Sequence, residues 1–362
     1  MQGVFQKYGE VRAMKLKKIS NQSVKRMGEG GYAEYRIPAI RVTENGTIIL
    51  ACECRRERDN DWASIDIALI ISTDGGKSWK ERMIACSAPE DGITWNNPTL
   101  ICENGRTHLL YCKNYAQAYH IISKDEGRTW TSPMEITAAL REFPYAWNVC
   151  AVGPGHGLAL PDGRLAVCIW LANGAPDPNH PRVKKHHPSA AGVLIRDSLG
   201  DCWHAGGLVN GLVSANETTL AQGGANELLL NFRHRGLPMR RALAVYDLGE
   251  RRFDKPFQPI DLPDPMCFGS MENLDEKTIA FVHCESTLNG DEKLEIARNF
   301  PRTKLTVRTS QDLGQTWKME QCIDPIGGYA DLAIHGKDLY VFYERTVGDS
   351  IEELCLAHYR MA

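Results

Sequence analysis

An eight-residue pattern, Ser-x-Asp-x-Gly-x-x-Trp, occurs three times in this chain, and it constrains the fold more than any other feature. Its fixed places are held by Ser72, Asp74, Gly76 and Trp79, then by Ser123, Asp125, Gly127 and Trp130, then by Ser310, Asp312, Gly314 and Trp317. A degenerate copy runs from Arg196 through Ser198 and Gly200 to Trp203, and a weaker one keeps Asp247, Gly249 and Phe253. Internal repeats of this kind mark solenoids, propellers and arrays. The residue types describe a tight turn between two strands. Ser and Asp side chains bond to turn backbone, Gly takes up positive φ, and Trp lays a large apolar ring on the sheet.

Each turn follows an apolar, β-branched run: 65–71, 119–122, 191–195, 242–246 and 305–307, with 353–359 as a sixth that lacks the turn. Further strand candidates lie at 47–51, 109–112, 165–170, 228–232, 279–283 and 339–343. Six units in 362 residues give about 60 residues each, the size of a four-stranded blade with its loops. No long helical periodicity interrupts them. The expectation is all-β: one six-bladed β-propeller domain over residues 1–362, with residues 1–30 supplying a strand that closes the ring.

Composition narrows the function classes. Hydrophobic residues make up 43% and charged residues 24%, as in ordinary globular chains. A net charge of −3 offers no basic field for nucleic acid or an anionic membrane surface. No apolar stretch reaches the length of a membrane span, and the first residues do not read as a secretory leader. A cytoplasmic location is therefore expected, or a secreted one if a leader has been removed. The 12 cysteines read as reduced core thiols, and no CxxC or HExxH spacing is present, so neither a metal nor another cofactor is expected.

The segment Tyr35-Arg36-Ile37-Pro38, ahead of the first turn, resembles the Arg-Ile-Pro motif of the sialidase superfamily, and in particular its bacterial-type exo-α-sialidases with Asp-box repeats. The chemistry of that family sets requirements that can be sought one by one. The substrate carries a carboxylate on its anomeric carbon, which repels a carboxylate nucleophile, and the family uses tyrosine instead. A phenol needs a neighbouring base, and the substrate carboxylate needs planar guanidinium partners. The resemblance implies Arg36, Arg233 and Arg302 as the carboxylate clamp, with Arg308 as a rival for the third place. It implies Asp61 as acid/base, from the stretch Asp61-Trp-Ala-Ser-Ile-Asp66, with Asp59 close enough to compete. Tyr329, in Gly-Tyr-Ala-Asp-Leu, falls at the nucleophile position, although Ala330 stands where the family has Ser. Glu217 is implied as its base, Arg55 and Asn97 as sugar-ring contacts, and Glu344 as the partner that holds Arg36. Lys304 stands where the family commonly has Asn. The Asp boxes themselves are read as structural.

The expected partners are sialylated glycans. Other readings stay open on these residues: a glycosidase for a related 2-keto acid sugar such as Kdn or Kdo, an intramolecular trans-sialidase, and a non-catalytic glycan-binding propeller. The run Arg182-Val-Lys-Lys-His-His187 reads most simply as a solvated loop, with a cover over the site or a contact with an anionic partner as the alternatives.

Overall fold

The computed structural model describes residues 15–198, 200, 202–286, 302–347 and 350–362. They form six twisted antiparallel sheets arranged as the blades of a propeller. Blade 1 comprises Glu34–Val42, Ile48–Arg55, Ile65–Ser72 and Lys80–Ala85. Blade 2 comprises Trp95–Glu103, Arg106–Lys113, Gln117–Ser123 and Met134–Glu135. Gly155–His156 pairs with its first strand in parallel. Blade 3 is built on Val149–Val152, Leu165–Ala172, Ser189–Arg196 and Trp203–Leu208. Blade 4 holds Thr218–Gln222, Glu227–Phe232, Ala242–Asp247 and Arg252–Phe253. Blade 5 holds Ser270–Asn273, Ile279–Cys284, Leu305–Ser310 and Lys318–Asp324.

Blade 6 draws on both ends of the chain. Gly327–His335, Asp338–Val347 and Ser350–Met361 are followed, on the outside, by Leu16–Arg26, which pairs antiparallel with Ser350–Met361 from Leu16↔Met361 to Arg26↔Glu353. The only α-helix among the described residues is the short Thr137–Arg141.

The core follows from this stacking. Each blade is covered on both faces by its neighbours, so its middle strands are apolar on both sides rather than alternating. Every residue of Ile48–Arg55 and of Leu165–Ala172 is buried. All 12 cysteines are free thiols, and half of them lie in such strands.

The Asp boxes join the third and fourth strands of their blades. In the first, Ser72 Oγ accepts from the Gly76 amide at 2.8 Å, and Asp74 Oδ1 accepts from the Lys77 and Ser78 amides at 3.0 and 2.9 Å. The same bonds recur around Ser123 and Asp125 and around Ser310 and Asp312. Gly314 requires its residue type: φ is +79°, and a Cβ there would lie 2.4 Å from Leu243 Cδ2 of the preceding blade. The degenerate Asp247 copy keeps its turn, with Oδ1 accepting from the Gly249 and Glu250 amides.

Register places the boxes far from the other end of the blades. In blade 1, Arg55 pairs with Ile65 at one end of the sheet and Ile48 with Ser72 at the other. The box therefore lies on the face opposite Arg55 and the loop that follows it. Near the propeller axis, Asp331 ties four elements together. Its carboxylate accepts from the Ile40 amide at 2.8 Å and from Ser270 Oγ at 2.6 Å, and it meets His156 Nδ1 at 2.6 Å.

Candidate active site

The chain brings its unrepeated polar residues to the face away from the Asp boxes, at the starts of first strands and the ends of second strands. The spacing of Glu217 and Arg233 shows why. Thr218 pairs with Phe232, and the ladder continues one step outward: the Arg233 amide donates to the Glu217 carbonyl at 3.1 Å. The two side chains are therefore neighbours across the open end of a hairpin. Arg36 and Tyr329 sit near the starts of the first strands of blades 1 and 6. Both strands carry a register shift at this point, and Ile37 has φ +58°. Such bulges re-aim side chains beside a site.

Tyr329 is the centre. Its hydroxyl donates to the Glu217 carboxylate, 2.6 Å from Oε1 and 2.7 Å from Oε2, and accepts from Arg233 Nη1 at 2.6 Å. Arg233 also contacts Glu217 directly. The guanidinium carbons of Arg302 and Arg36 lie 4.8 and 5.2 Å from the centroid of the Tyr329 ring. Burial pushes the Tyr329 hydroxyl above the ordinary phenol value. Arg233, Arg302 and Arg36 pull it down against this, while Glu217 adds to the rise.

Glu344 sits behind the cleft and does not line it. It is fully buried, and its two oxygens take Arg36 Nε and Nη2 at 3.1 and 3.2 Å, together with the amides of Ile37 and Tyr329. Burial alone would raise the Glu344 carboxyl, but Arg36 and these donors hold it below the usual carboxylate range.

On the blade 1 side, Arg55 is buried and forks between two carboxylates. Nε and Nη2 reach Glu53 Oε2 at 2.9 and 2.7 Å, and Nη1 reaches Asp61 Oδ1 at 2.9 Å. The Asp61 side chain is 45% exposed. Desolvation in the cleft opposes its charge, yet Arg55, with His186 and Arg36 beyond, holds its carboxyl well below the usual range. The Asn97 amide donates to Glu53 Oε1 at 2.9 Å, at a residue with φ +56°.

One cleft is lined by Arg36, Arg55, Asp61, Asn97, Glu217, Arg233, Arg302 and Tyr329. Asp59 is not part of that lining; its amide is tied to Glu34. Arg308 points elsewhere and pairs with Glu285 at 2.8 Å. A wider groove of about 820 Å³ runs over blades 3 and 4 and shares His234 with the cleft, but it holds none of the eight residues.

The cleft wall contains residues that sequence reasoning did not single out, among them Tyr115, Trp170 and Ser189. The run 182–187 departs from its simplest sequence reading. It is only partly solvated: Arg182 and Lys185 are exposed, but Arg182 donates to the Trp62 carbonyl at 3.1 Å, Lys184 to the Asn148 carbonyl at 3.2 Å, and His186 and His187 line the cleft. Its signal was the basic run itself, whose carbonyl partners are invisible in sequence. Among the described residues, no cluster of His, Cys, Asp and Glu is arranged to hold a metal, and no helix is long and apolar enough to cross a membrane.

The sequence model of the BNR repeat-like domain family matches residues 46–327. A sialidase of Bacteroides fragilis is 23% identical over 364 residues, covering 90% of this chain and 62% of that protein. The chain spans about half the length of the curated relatives it matches. Among solved structures, a Hadza microbial sialidase superposes with a TM-score of 0.73 at 22% identity, over 94% of this chain and 68% of that one. A Trypanosoma rangeli sialidase in complex with 2,3-difluorosialic acid, described as a covalent intermediate, superposes with a TM-score of 0.70 at 15% identity, over 95% of this chain and 59% of that one. Likenesses at these identities speak for the fold.

Proposed function

The chain belongs to the BNR repeat-like domain family, and on that premise we propose that it is a retaining exo-α-sialidase that releases terminal sialic acid from glycans. One observation carries the reading. A buried tyrosine hydroxyl bonds to both oxygens of a glutamate, with three arginines around the same ring.

This arrangement answers what a 2-keto acid glycoside demands. Arg36, Arg233 and Arg302 supply planar, permanently charged donors for the substrate carboxylate. Two of them are fixed from the protein side, Arg36 by Glu344 and Arg233 by Glu217 and Tyr329, so little ordering of these two remains to be done on binding. The substrate's carboxylate, drawn in by the clamp, sets its anomeric carbon against the phenol. Tyr329 gives its proton to Glu217 and attacks that carbon, and the developing phenolate is met by three cations in a partly dry site. Asp61 protonates the departing oxygen, then takes a proton from water as the glycosyl-tyrosine is hydrolysed. Arg55 from blade 1 and Asn97 from blade 2 face the sugar ring.

Names of similar proteins support the same substrate class, since the Bacteroides protein is a sialidase and the trypanosomal one was captured with a fluorosialic acid. The test is release of free sugar from α-linked N-acetylneuraminic acid, Kdn and Kdo glycosides. Release from the N-acetylneuraminic acid glycoside, with Tyr329→Phe reduced by at least about 10³-fold, supports the reading. Near-normal turnover by Tyr329→Phe removes the nucleophile, and release from Kdn or Kdo alone moves the activity to that sugar.

A further inference from the structure

The acid half of this reaction needs a proton on Asp61, yet the free site holds that carboxylate ionised. Its two oxygens have different neighbours. Oδ1 is bound to Arg55 Nη1 at 2.9 Å, whereas Oδ2 faces His186 Nδ1 at 3.9 Å.

His186 is a specialised neighbour. Its ring is packed among three others, with centroids 4.7 Å from Tyr115, 5.1 Å from Trp170 and 5.8 Å from Trp62. Its Nε2 is buried and has no hydrogen-bond partner among the described residues. Its carbonyl accepts from Asn216 Nδ2 at 3.4 Å, which pins the loop beside Glu217. Buried polar atoms are almost always paired, and the exceptions call for a reason. Here the aromatic packing fixes the ring, and the one ionisable group among the described residues that Nδ1 meets within salt-bridge range is Asp61.

Resting on the sialidase reading above, we propose that His186 is the proton reservoir of Asp61, a positioning residue that acts through the carboxylate. In the first half-reaction the proton on Nδ1 passes to Asp61 Oδ2, and Asp61 hands that same proton on to the glycosidic oxygen. The C–O bond breaks, the leaving group departs as an alcohol, and His186 is left neutral. In the second half, water loses a proton to Asp61 as its oxygen attacks the glycosyl-tyrosine, and that proton returns to His186. The two groups titrate as a coupled pair, so one proton serves both halves.

The groups facing His186 are Asp61 and Arg55 from blade 1, Tyr115 from blade 2, and Glu217 and Arg233 from blade 4. Burial pushes the imidazole below its ordinary value, against the pull of Asp61 and Glu217. The acid step needs the protonated ring. Turnover of substrates with poor leaving groups is therefore full below the pKa of His186 and lost as pH rises through it, on the acidic side of about 6.5.

The experiment compares wild type, His186→Phe and His186→Gln on a sialyl-oligosaccharide and on an aryl sialoside with a good leaving group, across pH. The phenyl ring keeps the packing without the nitrogen, and the amide keeps polarity without titrating, so a folding failure in one leaves the other. Both variants are expected to lose about 100-fold in kcat/KM on the oligosaccharide, the general-acid range, but less than about 10-fold on the aryl sialoside. The fall on the alkaline side should vanish from their profiles. Equal losses on both substrates with an unchanged pH profile would overturn the proposal and leave the sialidase reading standing. A wild type that hydrolyses neither substrate overturns both.

Discussion

The proposed carboxylate clamp rests on a residue outside the cleft. Glu344 is fully buried, pairs with Arg36, and also receives the amides of Ile37 and Tyr329, so it sets Arg36 and Tyr329 in one frame. Removing one member of a buried ion pair leaves the other charge uncompensated, at a cost of about 3–5 kcal/mol. Glu344→Gln is expected to lose that much at neutral pH. The folded pKa of Glu344 lies below its unfolded value, so its stabilisation is present above the ordinary glutamate pKa and fades as pH falls through the folded one. The deficit of Glu344→Gln should thus be full at pH 7 and shrink below about pH 4.3. Urea unfolding of both proteins across that range measures it, and a deficit that stays constant with pH would mean that the charge is not what matters. At this scale, Arg36, Glu217, Arg233 and Tyr329 were legible because a resemblance placed them. Glu53 was not, because it hides in the apolar run Ile48–Arg55, where only the structure reveals its bonds to Arg55 and Asn97.

At the scale of elements, sequence reading found the second and third strands of all six blades and few of the others. The reason is burial. Middle strands such as Leu165–Ala172 are covered on both faces and read as continuous apolar runs, whereas an outer strand such as Lys80–Ala85 is largely exposed and carries Lys, Glu and Arg. First strands are short or bulged where they serve the cleft, as at Arg36 and Tyr329, and a bulge breaks the period-two pattern. The Asp boxes were legible as turns, and the structure adds their place. They close the blades on the face opposite the cleft and press against the preceding blade. Gly314→Ala tests that separation. Forcing a Cβ against Leu243 at positive φ should cost about 1–3 kcal/mol. The melting temperature should fall while KM at low temperature stays unchanged. A large change in KM would mean that the box reaches the cleft after all.

Across the whole molecule, the ring is closed by pairing the two chain ends. Leu16–Arg26 covers the otherwise open edge of Ser350–Met361, and an unpaired edge of that length is an aggregation hazard. Blades 1 and 6 also meet where Arg36 pairs with Glu344 and Ile40 with Asp331, so the seam reaches the cleft. The boxes make a regular ring, and the chemistry is assigned to residues that do not repeat. The sharpest claim is that Tyr329 becomes covalently attached to the sugar. The direct measurement is mass spectrometry of the protein after incubation with 2,3-difluorosialic acid and proteolysis. A fluorosialyl adduct on the peptide that contains Tyr329, absent from Tyr329→Phe, is the expected result. An adduct on another residue, or none from a protein that turns over sialosides, would contradict it.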